Sequence, residues 1–299
     1  MKRQIIYAVI LVLLVPSCNQ RTNKSATKDK DSFSFAFLTD IHVQKQRNAD
    51  KGLMMAIESV NSREVDFVLT GGDLVFDVLG KGEQDAENLF DLYTEISANF
   101  KYPVYNAVGN HEEFGIYEES GVSPDHPLYG DNMFESWIGK RFQTFEHKGW
   151  KFYILDSVED TEERRYIGFV DSVQLNWIKE DLKTVDRETP IVIVTHIPFI
   201  TANTQLKKGS MAMNSRGLVV ENSKEVLDLF GGHNLKLVLQ GHLHILEDIF
   251  AGGIHFITGG AVCARWWQGP LDGMEEGYLV VHVNGENITW EYVDYGWEV

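Results

Sequence analysis

Two histidines follow an apolar run toward the end of the chain, and a single residue separates them. The run "LVLQ" ends at Gly241, and His242 and His244 come directly after it. The segment "FAFLTDIH" has the same spacing, with Asp40 and His42 after an apolar run. Residues two positions apart lie on one side of an extended segment, so each pair can direct two donor side chains at one point. Such pairs are suited to binding a metal ion.

Three further apolar runs end in polar side chains of the same kinds. Asp73 ends "FVLTGGD", His196 ends "IVIVTH", and "YNAVGNHE" contains Asn110 and His111. In an open α/β sheet the carboxyl ends of the strands meet at one crevice, so we expect these side chains to converge. Carboxylate, carboxamide and imidazole donors without a thiolate suit manganese, iron or zinc at a site with open positions, and not a closed structural zinc site.

Strand and helix patterns alternate along the chain, which predicts the elements that position these residues. Apolar runs predict strands over 33–38, 65–70, 103–108, 190–195 and 235–240. Amphipathic patterns predict helices over 48–62, 83–100, 172–185 and 223–230. A hairpin is expected over 143–157, and mostly strands from Leu246 onward. This order favours an α/β fold with parallel strands covered on both faces, and the hairpins make it a mixed one.

The motifs "TDIH", "GGDL", "GNHE", "TH" and "GHLH", in this order, resemble those of the calcineurin-like metallophosphoesterases. The resemblance extends from Phe33 to about Thr258. It implies two mixed β-sheets packed as a sandwich flanked by helices, with two metal ions (manganese, iron or zinc). The first ion would be held by Asp40, His42 and His244. The second would be held by Asn110, His196 and His242, and the residue that bridges both ions would be Asp73.

The same resemblance implies a catalytic role for His111, which is not a ligand in the family pattern. It would face the substrate and donate a proton or hydrogen bond to the phosphoryl or leaving oxygen. The implied reaction is hydrolysis of a phosphoester by a hydroxide that bridges the metals. A small nucleotide-like or head-group phosphodiester is the favoured substrate. Two alternatives stay open: a broad phosphomonoesterase, and a catalytically silent lipoprotein that binds a metal or ligand.

One position departs from two branches of that family. The third residue after the bridging aspartate is a metal-binding tyrosine in purple acid phosphatases and an acidic residue in protein Ser/Thr phosphatases. Here it is Phe76, which can neither bind a metal nor pair with a histidine, although Asp77 follows it. Protein phosphatase activity is therefore not expected, and no partner is identified that would orient His111.

Substrate-binding residues are sought near the last metal motif. In "ARWWQGP", Arg265 could hold a phosphate or carboxylate, and Trp266 could stack on a base or sugar. Arg216, in "NSRG", is a further candidate of the same kind. The alternative is that both tryptophans lie in the core and Arg265 forms a surface ion pair. The polar insertion 112–130 is either a loop that gates substrate access or a surface loop without that role.

The N-terminus and the charge address location and partners. A basic start and an apolar run precede "VPSC", which resembles a bacterial lipobox and predicts a lipoprotein signal over 1–18 with lipid on Cys18. Residues 19–32 read as a flexible tether, and 33–299 as one metallophosphoesterase domain. A plain cleaved signal is the alternative. The protein is thus expected to be exported and lipid-anchored to the bacterial cell envelope.

The formal net charge of the 299-residue chain is −17. This charge argues against binding to nucleic-acid backbones. It does not exclude an anionic phosphoester, because metal ions can reverse the local field. No oligomeric state is predicted.

Overall fold

The computed structural model describes residues 32–299. The predicted signal, the lipidation site at Cys18 and nearly all of the tether lie outside the described residues. Within 32–299 there is no helix that combines the length and apolar character needed to cross a membrane.

Thirteen strands form the framework of the described part of the chain. They are β1 (Ser32–Leu38), β2 (Phe67–Thr70), β3 (Val104–Tyr105), β4 (Gln143–His147), β5 (Trp150–Ile154), β6 (Val158–Asp160), β7 (Tyr166–Gly168), β8 (Pro190–Val194), β9 (Asn234–Gln240), β10 (Leu246–Ala251), β11 (Ile254–Gly259), β12 (Gly277–Asn284) and β13 (Asn287–Asp294). The first sheet has the order β13-β12-β1-β2-β3, and the second has the order β10-β11-β9-β8-β5-β4. Strands β6 and β7 form a separate hairpin.

Both large sheets are mixed. Strands β1, β2 and β3 pair in parallel, while β12 pairs antiparallel with β1 and β13. In the second sheet β5, β8, β9 and β11 are parallel, and β4 and β10 are antiparallel at the edges. The parallel strands therefore end at the same edge of each sheet, which is where the predicted site residues follow.

Six α-helices lie in the described residues: α1 (Ala49–Asn61), α2 (Glu83–Ser97), α3 (Asn132–Trp137), α4 (Ser172–Asp181), α5 (Asn203–Lys208) and α6 (Ser223–Phe230). Three short 3-10 helices span Gln46–Asn48, Asn110–Glu112 and Glu118–Ser120. Helices α1 and α2 pack on the outer face of the first sheet, and α4 and α6 pack on the outer face of the second. The layers are thus helix, sheet, sheet and helix. The predicted sandwich is confirmed.

Strand β1 illustrates why these sequences form sheets covered on both faces. Phe35 and Phe37 point into the core between the sheets, while Ala36 and Leu38 pack under the helices. All four are fully buried. Side chains alternate along a strand, so a continuous apolar run supplies both layers at once. Burying a phenylalanine contributes about 1.5–3 kcal/mol to the free energy of unfolding relative to leaving it exposed. Strand β1 therefore stabilises both the contact between the sheets and the contact with the helices.

The element predictions differ from the structure mainly at ends and in short pieces. The strand expected over 103–108 pairs only over Val104–Tyr105, and the helix expected over 172–185 ends at Asp181. The expected hairpin turns at Lys148 and Gly149, both with positive φ, as a tight two-residue turn requires. The β6–β7 hairpin, α3 and α5 were not predicted, because they are too short to show a clear period.

Candidate active site

The residues predicted from the strand ends converge at one edge of the sandwich. The first sheet supplies Asp40, His42, Asp73 and the Asn110–His111 pair, all from loops after β1, β2 and β3. The second sheet supplies the histidines that follow β8 and β9. The two sheets approach closely here at Gly241, where an added Cβ would lie 2.0 Å from the Thr39 hydroxyl oxygen. Only glycine fits this contact, and it allows one site to draw on both sheets.

One group of donor atoms centres on His42 and His244. Their Nε2 atoms lie 3.1 Å apart, and Asp40 Oδ1 lies 3.3 Å from His244 Nε2. The opposite ring nitrogens face backbone carbonyls: His42 Nδ1 is 3.2 Å from Phe76 O, and His244 Nδ1 is 2.5 Å from Ala264 O. A carbonyl can only accept, so both Nδ1 atoms carry the proton, and both Nε2 lone pairs are directed at the same space.

A second group centres on His196. Its Nε2 lies 3.0 Å from Asn110 Oδ1 and 3.3 Å from His242 Nδ1. His196 Nδ1 donates to Gly71 O at 2.7 Å, and His242 Nε2 donates to Gly217 O at 2.8 Å. His242 therefore presents Nδ1 to the site while the other histidines present Nε2. Its tautomer is set by the backbone of the long connection after β8.

Asp73 lies between the two groups. Its Oδ2 is 3.4 Å from His42 Nε2 and 3.1 Å from His196 Nε2. Its Oδ1 accepts a hydrogen bond from the His111 backbone N–H at 3.0 Å. The surrounding histidines hold the pKa of Asp73 well below its usual range, although burial opposes this. The carboxylate is therefore charged and within reach of both groups.

The donor set fits a metal centre. Three sets of three candidate ligand atoms lie within 4.8 Å of one another: His42–Asp73–His111, Asp73–His196–His242 and His42–His244–Cys263. The first two sets share Asp73. These side chains are almost fully buried, apart from the partly exposed His111 and His242. Buried nitrogen and carboxylate donors whose other atoms are held by backbone groups are arranged for a cation.

The backbone around the site is strained. Five candidate ligands have positive φ, namely Asp40, His42, Asp73, His242 and His244. Left-handed geometry costs a non-glycine residue on the order of 1–3 kcal/mol. Strain of this kind persists where surrounding contacts fix the backbone, and here it turns each side chain into the site.

The structure places Asp77 within ion-pair distance of His111, for which sequence analysis identified no partner, although His111 Nδ1 makes no hydrogen bond among the described residues. Its Nδ1 lies 3.5 Å from Asp77 Oδ1, and its Nε2 lies 3.9 Å from Asp73 Oδ2. Burial favours the neutral ring, but Asp73 and Asp77 outweigh it and raise the pKa of His111 to about 9. The ring is partly exposed, at 23%. Asp77 follows Phe76, one position later than the family's acidic residue, so the motif comparison did not identify it.

Glu112 is a second residue that the sequence analysis did not single out. Its Oε2 accepts from the backbone N–H groups of Asp73 (2.9 Å) and Gly109 (2.8 Å), and its Oε1 accepts from Val75 (3.0 Å). The side chain is fully buried. Burial and the neighbouring Asp73 raise its pKa to about 7. Glu112 therefore holds the backbone beneath Asp73, and the final letter of "GNHE" was the available signal.

Of the substrate-binding candidates, the structure brings only Trp266 to the site. Its ring centroid lies 4.6 Å from that of His244 and 6.1 Å from that of His42, and it is 37% exposed. The Arg265 guanidinium instead donates to Gln268 O, and that of Arg216 pairs with Glu221. Trp267 is the core tryptophan of the alternative reading, because its indole N–H donates to the carbonyls of residues 41 and 42.

Cys263 is fully buried, as expected for a small apolar residue. Its Sγ lies 3.9 Å from His244 Nδ1 and 3.8 Å from Ala264 O. It therefore sits behind the histidine, on the protonated side of the ring. The sulfur also lies within 4.8 Å of a His42 ring nitrogen, but burial raises the pKa of the Cys263 thiol well above its usual value, which favours the neutral thiol.

Comparisons with known proteins identify the family and the fold. The family model of the calcineurin-like phosphoesterases matches residues 33–246. None of the curated protein sequences compared with the chain matches it. Among solved structures, a dimetal phosphatase from Danio rerio is 15% identical with a TM-score of 0.61, over 87% of this chain and 95% of that one. GAP50, the anchor in the inner membrane complex of Plasmodium, is 17% identical with a TM-score of 0.53, over 88% and 85%.

The two structural likenesses concern the fold, whereas the family match covers most of the chain and includes all five motifs. The chain therefore belongs to the calcineurin-like phosphoesterases, and it is a metal-dependent hydrolase of phosphoric esters.

Proposed function

We propose that the protein hydrolyses small phosphodiesters at a centre of two metal ions bridged by Asp73. The observation that carries this proposal is the position of Asp73 Oδ2, 3.4 Å from His42 and 3.1 Å from His196. A carboxylate oxygen placed between two groups of donors can serve both. The first ion is assigned to Asp40, His42 and His244. The second ion is assigned to Asn110, His196 and His242.

The nitrogen and oxygen donors favour manganese, iron or zinc. Bound cations at such a centre supply positive charge for the phosphoryl oxygens and make water more acidic. The protein's own contribution is orientation. The carbonyls of Phe76, Gly71 and Gly217 fix the imidazole tautomers, and Glu112 fixes the backbone of the bridging aspartate.

His111 is proposed to supply the proton that the leaving oxygen requires. Asp77 faces its Nδ1, and its Nε2 lies on the side of Asp73 and the other candidate ligands. A histidine held in this way can donate to an oxygen at the reacting phosphorus. The insertion 112–130 begins directly after His111. This position is consistent with a role of the insertion in controlling access of substrate to the site.

Preference for a diester rests on what surrounds the ligands. Trp266 offers a partly exposed aromatic face beside His244, which suits the second organic substituent of a diester, such as a base or sugar. The guanidinium groups of Arg265 and Arg216 are engaged with Gln268 and Glu221. Neither guanidinium group therefore supplies the additional positive charge that would favour binding of a phosphomonoester dianion.

The test compares bis-p-nitrophenyl phosphate with p-nitrophenyl phosphate on protein loaded with manganese, zinc or iron. The proposal predicts a higher kcat/KM for the diester, and a selective loss of that preference in Trp266→Ala. A higher value for the monoester would establish the phosphomonoesterase alternative. Metal-loaded protein without turnover on either ester or on a wider panel would favour the silent binding protein.

We further propose that the protein is exported and held at the bacterial cell envelope by lipid on Cys18. The support is the basic start, the apolar run and the "VPSC" sequence. Lipoprotein anchors carry several acyl chains, so attachment would be lasting. Metabolic labelling with a radioactive fatty acid should mark the wild type and not Cys18→Ser. Equal labelling of both would exclude this cysteine as the anchor.

A further inference from the structure

A second polar pocket lies on the other side of the "GNHE" turn from the metal ligands. We call it the acidic pocket; its volume is about 260 Å³. Its wall includes one guanidinium, from Arg141, and six carboxyl groups: Glu113, Asp131, Asp156, Glu159, Asp160 and Asp171. It contains no histidine, unlike the phosphoester site. The sequence analysis did not identify this cluster, because its members come from the insertion, α3, β6 and the start of α4.

The single guanidinium is already committed. Arg141 Nε lies 3.0 Å from Asp131, Nη1 lies 2.8 Å from Asp156, and Nη2 lies 2.5 Å from Asp171. One positive charge thus serves three carboxylates. The remaining acids add negative charge to a small space that extends from the buried Glu113 to the exposed Asp160.

Glu113 is the group that this arrangement leaves unsatisfied. Its side chain is only 4% exposed, and Oε1 has no hydrogen-bond partner among residues 32–299. Its Oε2 lies against Gly130, where an added Cβ would come within 3.4 Å. Burial raises the pKa of Glu113 well above its usual value, and repulsion from Asp156 and Asp131 adds to this. A buried carboxylate without a partner is costly unless it takes up a proton or coordinates a cation.

We propose that the acidic pocket binds a hard divalent cation, with Ca²⁺ the best match, through Glu113 and neighbouring carboxylates. Calcium takes about 6–8 oxygen ligands at about 2.3–2.6 Å and tolerates irregular geometry and water. Among the described residues, three-ligand sets within 4.8 Å occur at the histidine site and not in this pocket. The ligands of one calcium ion lie within about 5 Å of one another, so the carboxylates of the pocket would have to draw together on binding, with water completing the shell. Zinc is disfavoured, because it requires nitrogen or sulfur donors in a compact tetrahedron.

The cation would join three segments. Glu113 follows Glu112, which holds the Asp73 backbone. Phe114 pairs with Gly130 and closes the insertion, and Asp160 ends β6. A cation shared by these segments would fasten the insertion to the domain. The proposal concerns stability and binding, so it can fail while the phosphoester site stands.

The first test is thermal unfolding of the full chain, with the phosphoester site loaded with manganese before Ca²⁺ is added. Ca²⁺ at saturating concentration should raise the wild-type Tm by at least about 3 °C. Glu113→Gln should lose this shift, because it keeps the shape and removes the charge. The control Glu58→Gln, at an exposed position on α1, should keep it. An equal shift in wild type and Glu113→Gln, or no shift in wild type, would overturn the proposal.

A second test locates the ion. Tyr129 lines the acidic pocket, so its phenol should sensitise the luminescence of Tb³⁺, a calcium substitute. Ca²⁺ should displace the signal at lower concentration than Mg²⁺. Tyr129→Phe should lose the signal but keep the Ca²⁺-dependent rise in Tm. If Glu113→Gln does not fold, Asp160→Asn at the exposed rim serves instead and should weaken Ca²⁺ binding several-fold. Unchanged Tb³⁺ luminescence in the folded Glu113 or Asp160 variant would place the ion elsewhere and refute the site.

Discussion

Two adjacent glutamates lie on opposite sides of one turn and are buried in opposite ways. Glu112 faces the phosphoester site, and three backbone N–H groups donate to its carboxylate. Glu113 faces the acidic pocket, and its Oε1 has no donor among the described residues. A buried carboxylate is stable where the fold supplies donors, and it otherwise requires a cation. Glu112 supports the phosphoester site indirectly, by holding the backbone of Asp73. Glu113 would instead bind a cation with its own carboxylate.

Asp73→Asn should cause the largest loss of activity, and its effect should be confined to the phosphoester site. The bridge loses its charge, so activity should fall on the order of 10³-fold or more, and metal binding should weaken. Rates and metal content by mass spectrometry would measure this. The Ca²⁺-dependent rise in Tm should remain. Loss of that rise would mean that the two sides of the turn are not separate sites.

His111→Ala should keep the bound metals and slow turnover by about 10²-fold or more, most strongly for esters with poor leaving groups. The reason is that the proton donor is removed while the ligands stay in place. A series of aryl phosphodiesters of increasing leaving-group pKa provides the measurement. The same loss for every ester would argue against proton donation.

Glu112→Gln should destabilise the protein by about 1–3 kcal/mol, because its amide group would meet backbone N–H donors. The matched variant Glu113→Gln, without divalent ions, should be as stable as wild type or more stable. Denaturant unfolding of Glu112→Gln and Glu113→Gln measures the free energy of unfolding of each variant relative to the wild type. Equal destabilisation by both would show that the two carboxyl groups do not differ in the way described.

Asp77→Asn should lower kcat by about 10-fold, with little change in metal content, since the orientation of His111 is loosened. The double variant Asp77→Asn with His111→Ala should be no slower than His111→Ala alone. Additive losses would indicate that Asp77 acts independently of the histidine.

The smallest expected effect is on pH dependence without divalent ions. The pKa of Glu113 is raised by burial and by Asp156 and Asp131. The folded protein therefore keeps this proton after the unfolded chain has lost it, above about pH 4.5. Its contribution to stability is present below that pH and is lost as pH rises. Between pH 5 and 8, the Tm of Glu113→Gln should therefore decrease less steeply with pH than the Tm of the wild type. The same slope in both proteins would contradict this expectation.

The site residues that could be predicted from sequence are those that directly follow predicted strands. Ligand candidates at strand ends were accessible, because parallel strands end at one edge and the five motifs mark those ends. The sandwich of two mixed sheets was implied by the resemblance to the calcineurin-like metallophosphoesterases, and it is confirmed. Asp77 was noticed but not assigned, because its contact with His111 depends on how the chain turns after Phe76. That turn places the acidic group one residue later than the family motif does.

Other features depend on three-dimensional placement that no local pattern encodes. Trp266 and Trp267 are adjacent, yet one lies beside His244 and the other in the core. Both have positive φ, so neither a helix nor a strand period predicts where their side chains point. Arg265 and Arg216 resembled phosphate ligands, but their guanidinium groups bond to Gln268 and Glu221. The acidic pocket draws its carboxyl groups from four separate segments. Burial of a charged side chain becomes visible only when those segments are packed together.

The proposed bridge between two metal ions at Asp73 can be observed in a crystal structure of metal-loaded protein, with anomalous scattering recorded at the absorption edge of the metal. We expect two peaks, one on either side of the Asp73 carboxylate. One should be bound by Asp40, His42 and His244, and the other by Asn110, His196 and His242. A single peak, or peaks that Asp73 does not touch, would contradict it.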